Sequence, residues 1–282
     1  MKVFFTAIAA CFFGALAGAQ ELYPYSEPAS NMPARSLAVK LGAMFVPDNF
    51  SNRVKQRYMP EVMLGIDESL MVHASATASN MHRDKFIFES VRLYGKYRFL
   101  SIDQVHKHFR MAAFGAVAYS RNNLAFNEIN LMGDHSGFQG GLIATQLWNK
   151  FALSATGSWN EVLNRKRRDK VASQYYAFQA VNYSLSAGYL LLPFEYKDYD
   201  QTNVNLYAEL LGSRNVFNVD DKYFVDLAPS VQFIFKSTGK LNIGYRFQLD
   251  GDIYRMSKNS FMVSYEHIFL NALNKKSRRQ AL

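Results

Sequence analysis

Every second residue from Val91 to Phe99 (Val91, Leu93, Gly95, Tyr97 and Phe99) is apolar or aromatic, while Arg92, Tyr94, Lys96 and Arg98 fall between them. Side chains alternate across a β-strand, so this segment reads as a strand with one greasy face and one charged face. The split recurs about a dozen times along the chain, with charge held to one parity each time. A soluble sheet could bury the apolar faces against each other. Here the apolar face is rich in rings: aromatics are 15% of the 282 residues, and mean hydropathy is only −0.15. Spanning helices would make mean hydropathy clearly positive. Low hydropathy with alternation and many aromatics suits an all-β, antiparallel transmembrane β-barrel with lipid outside and charge inside.

The N-terminus points the same way. Met1 and Lys2 form a short positive start, Val3–Leu16 is apolar, and Ala17-Gly18-Ala19 is a small-residue cleavage site. We therefore expect residues 1–19 to be a signal peptide, cut before Gln20. The apolar run is short for a retained anchor. Ile8-Ala9-Ala10-Cys11 resembles a lipoprotein box but leaves too few apolar residues ahead of it. Cys11 is the single cysteine and departs with the leader, which leaves no disulfide or thiol chemistry. The net charge of +9 could suit nucleic acid, but for a secreted chain lipopolysaccharide phosphates or anionic solutes are the better match.

Residues 20–34 carry Pro24, Pro28 and Pro33 and show no period, so they read as a periplasmic extension. A barrel is expected over 35–270, and a basic C-terminal tail over 271–282. Within the barrel the alternation predicts about twelve strands, with ten or fourteen also possible. They fall near Ser36–Val46, Pro60–Ile66, Leu70–Ser79, Phe86–Leu100, His106–Ser120, Gly137–Leu147, Phe151–Asn160, Ala177–Leu191, Val204–Gly212, Phe224–Phe235, Leu241–Leu249 and Phe261–Phe269. Short connections alternate with long ones, the usual asymmetry between periplasmic turns and outer loops. The connection 192–203 looks long for its end, and 80–85 short for its own. Pro229 on the lipid parity of the tenth strand requires a bulge or a strand end.

On this assignment Tyr97, Phe99, Phe109, Trp148, Phe151, Tyr189, Phe235 and Phe269 form a belt at one rim. Tyr119, Phe138, Trp159, Phe247 and Phe261 form a belt at the other. The last strand sets Phe261, Val263, Tyr265, His267 and Phe269 on one parity. This resembles the aromatic C-terminal signature read by the barrel-assembly machinery, although the tail follows it. Arg57–Gly65 and Leu93–Val105 also carry a resemblance. The chain is similar to uncharacterised outer-membrane β-barrel proteins of Gram-negative bacteria, some loosely grouped with transporter barrels of aromatic-degradation pathways. The resemblance implies an outer-membrane location and passage of solutes, and names no substrate.

The inward parity collects Lys40, Glu61, His73, Arg92, Lys96, Arg98, Arg110, Glu209, Asp226, Arg246 and Glu266 as lumen-lining residues. The cations of the fourth and fifth strands could draw anions along a pore. Alternatively the charges pair and fill a narrow lumen, which would make a structural or lipopolysaccharide-binding barrel without transport. His106 and His108 share a strand face, but no carboxylate or cysteine completes a metal set. Asp134-His135-Ser136 invites a lipid-modifying enzyme reading. Adjacent His and Ser point oppositely on a strand, so no catalytic role is expected for them. No cofactor is expected. Arg165, Arg167 and Arg168, in the run 165–170, could hold lipid phosphates. A monomeric, passive channel for small, anionic or aromatic solutes is the reading these residues support.

Overall fold

The computed structural model describes residues 23–48, 53–168, 171, 175–194, 200–216 and 222–274. The leader with its cleavage site, and Lys275, Lys276, Arg278 and Arg279 of the tail, lie outside the described residues. Twelve strands close on one another: β1 (Ser36–Pro47), β2 (Val54–Gly65), β3 (Leu70–Ser79), β4 (Ile87–Asp103), β5 (Lys107–Ser120), β6 (Gly137–Trp148), β7 (Phe151–Val162), β8 (Gln179–Leu192), β9 (Asn203–Asn215), β10 (Tyr223–Phe235), β11 (Gly239–Gly251) and β12 (Asn259–Phe269). Each pairs antiparallel with its sequence neighbours, and β1 pairs with β12, with Leu37 opposite Phe269 and Phe45 opposite Phe261. Closure removes the sheet edges that would otherwise leave backbone groups unpaired.

The wall is inverted relative to a soluble protein. Leu93 is 60% exposed and Val117 is 55% exposed, and they face each other across β4 and β5. Leu185 is exposed as well, and Leu153 and Val231 alternate with the buried Ser154 and Gln232. Among the largest fully buried side chains are Arg57, Lys96, Lys240, Gln232, Glu89 and Glu209. The rings expected in the two belts lie on the outward face, joined by Tyr58, Phe86, Phe88, Tyr183 and Tyr245. Leu93 sits mid-strand, where the apolar band is deepest. Leu93→Arg should therefore destabilise the barrel in phospholipid vesicles by about 2–4 kcal/mol. Equilibrium unfolding in vesicles measures this, and a cost below about 0.5 kcal/mol, as for an ordinary surface site, would mean that the face does not meet lipid.

One end of the barrel carries the connections 66–69, 104–106, 149–150, 193–202 and 236–238, together with the start of β1 and the end of β12. The other carries 48–53, 80–86, 121–136, 163–178, 216–222 and 252–258. The two connections of unexpected length are real, and they do not alter the strand count. Pro229 occupies neither a bulge nor a strand end. It lies mid-strand and outward, opposite Ala208 of β9, where the ladder to β11 skips from Leu227–Phe247 to Ser230–Gly244. Pro60 repeats the arrangement: it pairs with Leu41 of β1, and the ladder to β3 skips from Tyr58–Ala78 to Glu61–Ser75. Each proline stands where a rung is already missing, so its lost N–H breaks no ladder.

Residues 23–34 are the main departure from expectation. The sequence predicts an extension clear of the barrel; the segment instead runs inside it. Tyr23 packs edge-on against Tyr207 with ring centroids 5.4 Å apart, beside Leu147 and Ala152. Ala29 lies against Ala112 and Ile143, and Met32 against Ala38, Met63 and Ile268. With no period and three prolines, the segment cannot join the sheet as a strand. Its N–H groups find acceptors, and its carbonyls donors, on the polar inner wall instead.

Candidate functional site

The inward charges are ordered by strand register. Lys240 of β11 pairs with Glu266 of β12 at 2.9 Å. Glu266 stands opposite Lys40 of β1, which reaches Glu61 of β2 at 3.9 Å. Glu61 in turn meets the His73 Nδ1 of β3 at 2.8 Å. The result is a row of alternating sign across four adjacent strands, β11, β12, β1 and β2, that ends on the His73 imidazole of β3. Cross-strand opposite charges are mutually stabilising, and here they leave little net field on that side of the lumen.

The N-terminal segment crosses the lower lumen, from the side of this row to the facing wall. Lys96 is 0% exposed, and its Nζ donates to the carbonyls of Pro28 at 2.6 Å and Ser30 at 2.8 Å and to Glu27 at 3.3 Å. The Tyr25 N–H donates to Glu209 at 3.0 Å, and the Ala29 N–H to the Thr145 hydroxyl at 2.9 Å. Arg110 donates to the Ser30 hydroxyl at 2.9 Å and to Asp103 at 3.1 Å. Gly244 makes room for the ring of Tyr25, since a Cβ there would lie 2.8 Å from it. Of the predicted cation row, then, Lys96 and Arg110 fasten this segment, Arg98 is half-exposed, and Arg92 faces the lumen above it. Glu209 pairs with no cation at ion-pair distance among the described residues; it accepts from the segment and from Ser186.

Loop 121–136 folds inward at the long-loop end. Arg57 of β2 is 1% exposed and joins Glu89 at 2.8 Å to Asp134 of the loop. His82 meets Asp134 at 2.8 Å. Gly133 (φ +123°) passes so close to Arg57 that a Cβ there would lie 2.5 Å from the guanidinium carbon. On the far side Arg246 of β11 pairs with Asp226 of β10 and, at 3.1 Å, with Glu128 of the loop. Arg255, from loop 252–258, makes two bonds to Asp226, at 2.8 and 2.7 Å. The apolar side of loop 121–136, Leu124 and Ile129, packs with Val162, Ala177 and Phe178.

Burial alone would raise the Asp134 carboxyl, but Arg57 and His82 outweigh it and hold its pKa well below the usual carboxylate range. The sign follows directly. A lowered folded pKa contributes stability that is complete above the ordinary carboxylate pKa and is lost progressively as pH falls from there through the folded value. The stability gap between the native chain and Asp134→Asn should thus stay constant from pH 7 down through pH ~4 and narrow only in stronger acid. Acid titration of the unfolding midpoint checks this, and a gap that closes near pH 4 would contradict it.

Asp134, His135 and Ser136 turn to separate partners. His135 is buried against the backbone of Asn130, and the Ser136 hydroxyl accepts from the Ser120 N–H at 2.8 Å. The three do not form a relay. His82, Glu89 and Asp134 bring three possible metal-ligand atoms within 4.8 Å of one another. Arg57 already donates to both carboxylates, so this cluster serves a guanidinium. His108 bonds Asp103 at 2.7 Å, with no third ligand grouped with it among the described residues. Residues Arg165–Arg168 form one short 3-10 turn, with Arg165 and Arg168 exposed; the side chain of Arg167 lies outside the described residues.

Between the N-terminal segment and loop 121–136 lies a cavity of about 360 Å³. Its floor is Tyr23–Glu27 and its roof Glu128–Met132; Lys40, Glu61, Arg92, Tyr94, Asn160 and Arg246 belong to the walls. Tyr94 stacks on Phe114 with centroids 5.5 Å apart, and Arg92 lies over the Tyr94 ring at 5.1 Å. Arg57, Glu89, Glu128 and Arg255 carry the upper part of this architecture, and none belongs to the lumen set predicted from sequence. Arg57 falls before Pro60, where the predicted strand starts too late. Glu89 has outward parity by simple alternation, but a register shift at Thr77/Ala78 turns it inward. Arg255 and Glu128 sit in loops, where alternation carries no information.

No protein-family model matches the sequence, and no curated protein matches it. The fold is similar to that of an outer-membrane channel from Pseudomonas putida F1, with TM-score 0.60 and 10% identity, over 88% of this chain and 100% of that one. It is also similar to the NanC porin, with TM-score 0.53 and 11% identity, over 82% of this chain and 98% of the other. The KdgM porin gives TM-score 0.51 and 7% identity, over 82% and 99%. One KdgM structure is a complex with disordered oligogalacturonate. At these identities the likeness concerns the fold.

Proposed function

We propose that this chain is a passive outer-membrane channel for small solutes, narrowed at one end by residues 23–34 and at the other by loop 121–136. The polar cavity on the barrel axis carries this reading. A barrel serving only as structure has no need of a chamber lined by cations, amides and phenols. The short-turn end would face the periplasm, consistent with β1 starting and β12 ending there and with a signal peptide over 1–19. The aromatic signature of β12 would serve the barrel-assembly machinery. Exposed Arg165 and Arg168 would meet lipopolysaccharide phosphates at the other rim.

Small anions are the favoured solutes, because Arg92 and Arg98 face inward without an ion pair among the described residues. Rings at the cavity wall also suit aromatic solutes. Lys96 is spent on the N-terminal segment and does not set selectivity. The double variant Arg92→Gln, Arg98→Gln should reduce anion preference in reversal potentials across a salt gradient. An unchanged reversal potential would remove these two residues from selectivity. A second reading has its own support. The anchoring of residues 23–34 by Lys96 is firm enough for a permanently closed, structural barrel, and bilayer conductance separates the two.

A further inference from the structure

The cavity wall contains polar atoms that no protein group satisfies. The hydroxyl of Tyr94, the amide nitrogen of Asn160 and the Nε2 of His73 are each buried, on residues 6%, 2% and 5% exposed, and have no hydrogen-bond partner within the protein. The hydroxyls of Tyr25 and Thr156 and the Nε of Arg92 are in the same position. All six residues line the one cavity. Unsatisfied buried polar atoms are costly, so these six are open to whatever fills the chamber, water or a solute able to bond to them.

Arg92 defines its charge. Its guanidinium donates to the neutral Gln139 at 3.2 Å and lies over Tyr94, with no carboxylate at ion-pair distance among the described residues. Arg57, Arg246 and Arg255 each have one. A partly buried guanidinium without a carboxylate at ion-pair distance favours an anion that supplies one. The occupant should be a monoanion, because Glu27, Glu61 and Glu128 share the wall and would repel a second negative charge. Phenol, hydroxyl, amide and imidazole groups around the rest of the chamber match hydroxyl groups on the ligand, and the stacked Tyr94–Phe114 pair offers its apolar side a surface. The volume lies at the small end of small-molecule pockets.

We propose that the cavity is a binding site for a single small monocarboxylate carrying several hydroxyl groups, with Arg92 holding the carboxylate and Tyr94 and Asn160 the hydroxyls. The proposal deepens the channel reading, since the ligand must reach the lumen. The test is calorimetric titration of the refolded full chain in detergent with D-gluconate. D-glucose supplies hydroxyls without charge, hexanoate supplies charge without hydroxyls, and inorganic phosphate supplies a second charge. Gluconate should bind once per chain and at least about tenfold more tightly than each of the other three. Arg92→Gln should weaken gluconate binding by about tenfold or more. Tyr94→Phe, which keeps the ring and its packing, should weaken it about three- to tenfold. Absence of gluconate binding, equal affinity for glucose or hexanoate, tighter binding of phosphate, or full affinity in Arg92→Gln would each overturn the proposal. Conductance without gluconate binding defeats this inference alone. Absence of conductance, both in the intact chain and after removal of residues 23–34, defeats the channel reading.

Discussion

Removing residues 23–34 should raise single-channel conductance several-fold, and Lys96→Met should go part of the way. The segment fills the lumen at the short-turn end and is held there by apolar contacts of Tyr23, Ala29 and Met32 and by hydrogen bonds to the inner wall. Those of Lys96 are the strongest, because a buried ammonium donates to two carbonyls and a carboxylate. Charge-assisted bonds are worth about 1.5–3 kcal/mol each and neutral ones about 0.5–1.5 kcal/mol. Ordering each residue costs about 1–2 kcal/mol in backbone entropy. The balance for twelve residues is therefore narrow, and one firmly bonded side chain can decide it. Methionine keeps the bulk of the lysine stem but cannot donate, leaving the Pro28 and Ser30 carbonyls buried without their ammonium. The segment should then spend part of its time outside the lumen, seen as larger and more variable current steps. Identical conductance in the intact, Lys96→Met and truncated chains would mean that residues 23–34 do not obstruct the path.

The second large effect is expected at Asp226. This carboxylate is 0% exposed and receives both Arg246 and Arg255. Arg246 also holds Glu128 of loop 121–136, and Arg255 belongs to loop 252–258. One buried acid therefore ties β10, β11 and two loops together. Asp226→Ala takes a carboxylate from the buried Arg255 and from the half-buried Arg246. Removing one partner of a buried ion pair costs about 3–5 kcal/mol. Arg246 keeps Glu128, and Arg255 keeps Gln248 at 2.8 Å, so the cost should fall toward the lower part of that range. The temperature at which the folded gel band converts to the unfolded one should drop clearly, and loop 121–136 should become more sensitive to protease. A variant as heat-resistant as the native chain, with the loop equally protected, would show that the Asp226 hub is not what fixes the constriction.

Strand alternation made the wall legible because it is a local property: Leu93 and Arg92 declare their faces without knowledge of their neighbours. The strand limits at Leu70–Ser79 follow from that pattern alone. The lumen was half legible. Lys40, Glu61, Asp226 and Glu266 fall on the inward parity, yet their partnership is a matter of register between strands. Register depends on turn lengths and on interruptions such as the one beside Pro60. Glu89 was missed because one register shift reverses parity. Residues 23–34 show how a segment without a period can still have a fixed place. Its partners, Lys96, Thr145 and Glu209, are each more than sixty residues away. Nothing in its own sequence distinguishes a segment inside the barrel from one outside.

If the barrel spans the membrane and conducts through a narrow, charged lumen, it must pass current once reconstituted. The most direct measurement is current through the refolded full-length chain in a planar lipid bilayer, recorded in a salt gradient. Discrete, small current steps with a reversal potential on the anion side are the predicted result. A bilayer that remains silent after verified insertion, with the intact chain and with residues 23–34 removed, would contradict the account and leave a closed, structural barrel.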